Sequence, residues 1–145
     1  MKIIIEDALD GGEDEIIIRC HEMDDHLLEL IYGIKANKRK LSCSYNGAIY
    51  MISPQDIYYF EAVDNKIFVY GEQRVYEVKY KLYELEELLE HTEFFRVSKS
   101  VIVNLAKMVK VAPSFNGKFE ALLSNGEKVL ISRQFVPHLK KKLGI

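Results

Sequence analysis

Three Asn-Gly pairs punctuate this chain, at Asn46-Gly47, Asn116-Gly117 and Asn125-Gly126, each beside short segments of alternating apolar residues. Both residues of Asn-Gly tolerate the positive φ angles of a type I′ turn, so each pair is a strong β-hairpin signal. Apolar alternation and β-branched enrichment predict strands over 41–45, 48–52, 57–62, 66–70, 74–79, 101–104, 107–112, 118–123 and 128–131. Two helices interrupt them. Leu82, Leu85, Leu88 and Leu89 repeat at helical spacing around Tyr83–Glu90. Ser132 can cap a last helix running from Arg133 to about Leu143, with Gly144 as its stop. Pro137 fits poorly beyond a first turn, so that helix starts later or kinks.

The first 40 residues read differently. Ile3-Ile4-Ile5 and Ile16-Ile17-Ile18 flank the turn sequence Asp10-Gly11-Gly12-Glu13-Asp14 and predict a small hairpin. Apolar residues at 23, 27, 30, 31 and 34 predict a helix, with acids in its first turn where the dipole favours them. The division is set at residue 40: an N-terminal β-β-α segment over 1–40, regulatory or dimerising, and a mainly β domain over 41–145, an α+β protein overall.

A net charge of −2 conceals a strong partition. Residues 1–37 hold three bases against ten acids, residues 38–93 seven against ten, and residues 94–145 ten bases against Glu120 and Glu127 alone, a local balance of +8. Such a segment has the footprint of a polyanion-binding surface, or of a lysine-rich face balanced by the acidic start of the same fold. Cys20 and Cys43 lack metal or redox spacing, and the four histidines do not cluster, so no cofactor or metal is expected. Catalysis by Cys43 or Ser100 with His91 lacks an orienting triad or oxyanion hole. No signal peptide or membrane-spanning run is read, and a cytoplasmic location is expected.

The segments Ile52-Ser53-Pro54-Gln55-Asp56-Ile57-Tyr58-Tyr59-Phe60-Glu61-Ala62, Phe94-Phe95-Arg96-Val97-Ser98-Lys99-Ser100-Val101-Ile102-Val103-Asn104-Leu105 and Leu123-Ser124-Asn125-Gly126-Glu127-Lys128-Val129-Leu130-Ile131-Ser132-Arg133 occur in this order. Together with the leucine helix, they make residues 41–143 resemble the LytTR family of bacterial DNA-binding domains. The resemblance implies stacked antiparallel sheets of about ten strands with short helices. It implies a transcriptional regulator that inserts loops into successive major grooves of double-stranded DNA; separate loop contacts from each chain on a duplex target then predict a homodimer on repeated sites. Forty residues are too few for the receiver domain most members carry. The resemblance therefore implies the stand-alone type, usually controlled by a membrane-embedded partner protein.

Three loops correspond to the DNA-contacting positions of that family. In Ser132-Arg133-Gln134, Arg133 can bond guanine O6 and N7 in parallel; its alternative is a surface ion pair. In Ser98-Lys99-Ser100, Lys99 suits a phosphate and the flanking hydroxyls a phosphate or base edge; its alternative is a plain loop lysine. In Asp64-Asn65-Lys66, Asn65 can bond adenine and Lys66 a phosphate, although Asn and Asp also occupy turns for conformational reasons. Arg96 either touches a phosphate or ties its loop to the sheet, and Asn104 is read as ending a strand. Tyr58, Tyr59, Phe60, Phe68, Tyr70 and Tyr76 are read as core packing over a base-stacking platform. The competing function is a β-rich protein-interaction module whose basic C-terminal face docks an acidic partner.

Overall fold

In the computed structural model, ten strands form two antiparallel sheets, and the described residues are 1–8, 10–37 and 39–145 without the side chains of 35–37. The strands are β1 (Leu41–Tyr45), β2 (Ala48–Ile52), β3 (Ile57–Val63), β4 (Lys66–Gly71), β5 (Val75–Val78), β6 (Phe94–Arg96), β7 (Val101–Asn104), β8 (Met108–Pro113), β9 (Phe119–Leu123) and β10 (Lys128–Ile131). Seven form one sheet in the order β2-β1-β5-β4-β3-β7-β6, and β10-β9-β8 form the other. Helix α1 spans Asp25–Asn37, α2 Leu82–Leu88 and α3 Val136–Leu143. No helix among the described residues is long and apolar enough to cross a membrane.

Alternation along the central strands produces two cores. Phe60 on β3 and Ile102 on β7 face one side, where they pack with Leu82 and Leu85 of α2 and with Leu89 just beyond it. Val101 and Val103 of β7 face the other side, against Ala121, Leu123, Val129 and Ile131 of the small sheet and Val136 and Leu139 of α3. The large sheet is thus the middle layer, with α2 on one face and the small sheet with α3 on the other. Asn104 ends β7 as read from the sequence. Buried, it donates from Nδ2 to the Ile57 carbonyl at 2.9 Å and accepts the Ala106 N–H at 3.0 Å.

The nine predicted strands are all present. The additional β6 is three half-buried residues whose phenylalanines divide between the cores, too short for a periodicity signal. At the first Asn-Gly pair both residues have positive φ, closing a two-residue hairpin between β1 and β2. The same holds for Asn116 and Gly117 within the longer β8–β9 loop. At the third pair only Gly126 does; the Asn125 side chain instead accepts the Glu127 N–H at 3.0 Å. The last helix starts three residues late, at Val136, after a 3-10 turn over Arg133–Phe135, which seats Pro137 in its first turn.

The N-terminal hairpin is a correction. Asp10 and Gly11 do turn, with Gly11 at φ +81, yet the two isoleucine runs form no strand and all six side chains are exposed. A two-stranded hairpin is marginal in water without a third element to pack on. Three consecutive isoleucines also put apolar groups on both faces, and nothing in the described fold covers either. The predicted helix does form as α1, capped by Asp24, whose carboxylate accepts the Leu27 N–H at 2.9 Å. It ends beside Lys38, which is outside the described residues, so the boundary set at residue 40 lies next to that gap.

Candidate nucleic-acid interface

Strand register carries the three predicted loops to one end of the molecule. Glu61 pairs with Val101, so the β3–β4 turn and the β6–β7 loop leave the large sheet side by side. Ser100 accepts the Ala62 N–H through its carbonyl at 2.8 Å, joining the β6–β7 loop to the end of β3 that carries the turn. On its other flank the Val97 carbonyl accepts the Ser132 N–H at 2.8 Å, joining the β6–β7 loop to the segment after β10. Two backbone hydrogen bonds therefore hold all three loops in one row, across both sheets.

The β3–β4 turn is a two-residue connection between the paired Val63 and Lys66, with Asp64 at φ +49 and Asn65 at φ +64. Asn65 thus has the conformational role weighed for it, and its exposed amide stands at the tip beside exposed Lys66. Asp64 is in no ion pair among the described residues.

The β6–β7 loop is held from within. Arg96 donates from Nε to the Ser98 carbonyl at 2.7 Å, from a terminal nitrogen to the Lys99 carbonyl, and pairs with Glu86 of α2. Its guanidinium is thus hydrogen-bonded to the loop and paired with α2. The Ser98 hydroxyl accepts the Ser100 N–H at 3.2 Å and lies 3.4 Å from the Ser100 hydroxyl, so both half-buried serines shape the loop. Lys99 projects between them, exposed.

Arg133 and Gln134 are exposed at the row's far side. The surface ion pair that was the alternative for Arg133 is not formed among the described residues. Its aliphatic stem instead crosses Gly117 of the β8–β9 loop: a Cβ built there would lie 2.8 Å from the arginine Cδ and 3.1 Å from Cγ. Sequence reasoning missed this seat, because sixteen residues and a whole hairpin separate the two. It also missed Glu86, which faces the loop only once α2 has docked.

Of the six aromatic residues read as core, two are buried, and Tyr59, Phe68, Tyr70 and Tyr76 are half-buried. Phe60 is fully buried and Tyr58 nearly so. Half-buried Tyr59 and Tyr70 stack on each other at 4.1 Å between ring centroids, and Tyr70 donates to Glu61 at 3.1 Å. Burial, reinforced by nearby Glu127 and Glu61, raises the Tyr59 phenol well above its ordinary range, and burial with Glu61 raises that of Tyr70. His91, three residues past α2 at φ +62, stacks on Tyr32 of α1 at 4.6 Å between ring centroids.

Residues 47–144 match the family described as LytTr DNA-binding domain, more than half of the chain. The chain belongs to the LytTr family. Among its relatives, the sensory transduction protein LytT of Enterococcus faecalis is 34% identical over 97 residues, covering 67% of this chain and 40% of LytT. The chain spans less than half the length of the LytT relatives it matches. An uncharacterized HTH-type transcriptional regulator of Staphylococcus aureus strain MRSA252 is 28% identical over 141 residues, 94% of this chain and 95% of that one. A solved LytTr DNA-binding domain from Bacillus cereus superposes with a TM-score of 0.71 at 28% identity, covering 74% of this chain and 98% of that chain. The strands and loops of the row lie inside the matched LytTr region.

Proposed function

We propose that this LytTr chain is a sequence-specific transcriptional regulator that reads duplex DNA with the row of loops at 64–66, 98–100 and 132–134. In this reading Arg133, Gln134 and Asn65 face base edges in the major groove, and Lys66 and Lys99 hold phosphates on either side. Arg96, Ser98 and Ser100 act one step back, fixing the height and direction of Lys99. Residues 41–145 are the DNA-binding unit, two copies bind repeated half-sites, and residues 1–40 supply regulation or self-association. The observation that carries this is the joining of three separate loops into one row by the Ala62–Ser100 and Val97–Ser132 hydrogen bonds, with exposed cations that no carboxylate neutralises among the described residues.

Selection of bound duplexes from a random pool tests it. The natural chain should enrich a repeated motif. Arg133→Ala should relax the preference at one base pair by about 1–3 kcal/mol, the worth of a bidentate arginine–guanine contact. Lys99→Ala should weaken binding to all sequences alike. A pool with no enriched motif favours the interaction-module reading instead.

A further inference from the structure

We infer that the β8–β9 loop, Ser114–Lys118, is a fourth DNA-contacting element of the row, with Lys118 on a phosphate and the Phe115 ring against the adjoining deoxyribose. The inference rests on the proposed function and extends it to a segment outside the three predicted loops. Ile131 pairs with Phe119, so this loop leaves the small sheet at the same end as Arg133. Gly117 then places it in direct contact with the Arg133 stem. The loop is also built. Asn116 and Gly117 take positive φ in succession, the Ser114 N–H donates to the Lys118 carbonyl at 2.8 Å, and the Lys118 N–H donates to the Phe115 carbonyl at 3.1 Å.

Phe115 is 61% exposed although an apolar ring gains nothing from water there. The nearby Lys118 ammonium stands 5.3 Å from the ring centroid and is in no ion pair among the described residues. A cation beside an exposed apolar ring suits a sugar–phosphate backbone, where charged oxygens alternate with apolar sugar faces. An acidic protein partner would leave the ring unexplained. Gly117 does double duty in this arrangement. Its missing side chain lets Arg133 lie across the loop, so the fourth contact and the base-reading arginine are aimed together.

The test uses the full chain and a duplex carrying its selected motif. Lys118→Ala should weaken binding about five- to tenfold and make the slope of log K against log salt shallower by about 0.9, the value for one lost phosphate contact. Phe115→Ala should weaken binding several-fold with the slope unchanged, and remove one hydroxyl-radical protection at the edge of the footprint. Phe115 is exposed, and half-buried Lys118 is in no ion pair among the described residues, so thermal melting should move little. If neither variant alters affinity or footprint while Arg133→Ala does, the fourth contact is overturned and the three-loop reading stands. If Arg133→Ala and Lys99→Ala are also without effect, the function proposed above falls, and this inference with it.

Discussion

Replacing Arg96 by lysine separates a residue that positions a loop from one that touches DNA, because the charge survives and the fork does not. Arg96 gives two hydrogen bonds to carbonyls of the β6–β7 loop, at Ser98 and Lys99. Bonds from a charged donor are worth about 1.5–3 kcal/mol when buried. Here the guanidinium is partly exposed and water can reach the loop, so about 0.5–1 kcal/mol each is the fitting value. The pair with Glu86 adds little, since that carboxylate is 45% exposed. Loss of the fork then costs about 1–2 kcal/mol of loop order. Binding must restore that order, so duplex affinity should fall about five- to thirtyfold at 1.4 kcal/mol per decade.

The salt dependence makes this sharp. A residue spent on carbonyls releases no counterion, so Arg96→Lys and Arg96→Ala should weaken binding alike and leave the slope where it was. Lys99→Ala should make the slope shallower by about 0.9. Fluorescence anisotropy on one labelled duplex across a salt series measures both quantities. Natural affinity in Arg96→Lys, or a slope shallower by one in Arg96→Ala, refutes the positioning role and puts the guanidinium on a phosphate.

Four further outcomes follow from the fold. Leu85 is fully buried between α2 and the large sheet, so Leu85→Ala should lower unfolding free energy by about 2–5 kcal/mol in urea titrations; a cost below 1 kcal/mol would mean α2 is not packed there. Burial pushes the Cys43 thiol up to about 11, and Cys20 is exposed, so a thiol reagent at pH 8 should modify one cysteine per chain until the protein unfolds. The unfolded thiol ionises near pH 9 and the folded one near 11, so the stability Cys43 contributes is complete below 9 and declines up to about 11; a melting profile over that range unchanged by Cys43→Ala would contradict this. Deleting residues 1–37, with their charge of −7 and seven exposed isoleucines, should weaken self-association and raise nonspecific DNA affinity; sedimentation and anisotropy unchanged in both respects would defeat that role.

The sheets were legible because their signals are local. Asn46-Gly47 and the alternation on either side specify a hairpin within twelve residues, and Leu82, Leu85 and Leu89 specify an apolar helix face that any sheet would cover. What stayed hidden depends on residues that meet only after folding. The Arg133 seat on Gly117 joins two loops from different hairpins, and the Arg96–Glu86 pair joins a strand to a helix. The isoleucine runs failed as a prediction for the complementary reason. Local propensity favoured strands at 3–5 and 16–18, but a strand also needs neighbours, and the described fold offers those residues none.

Sorting the basic C-terminal segment by partner changes what its charge can do. Of its ten bases, Lys107 faces Glu72, Lys128 faces Glu120, and Arg96 is held by Glu86 and the loop carbonyls. Lys142 donates to the Thr92 carbonyl at the other end of β6, away from the row. At the row itself stand Lys99, Lys118 and Arg133, with Lys66 joining them from the large sheet. In the reading proposed above Arg133 faces a base and the three lysines face phosphates, so about three phosphate contacts per copy are expected, and a slope of about −3 for each half-site. Were the whole basic face to act as a diffuse polyanion surface, the slope would approach −7, and substituting any of its lysines would count equally. A steep slope that Lys110→Ala reduces as much as Lys99→Ala would show that charge in bulk, rather than the joined loops, attracts the DNA.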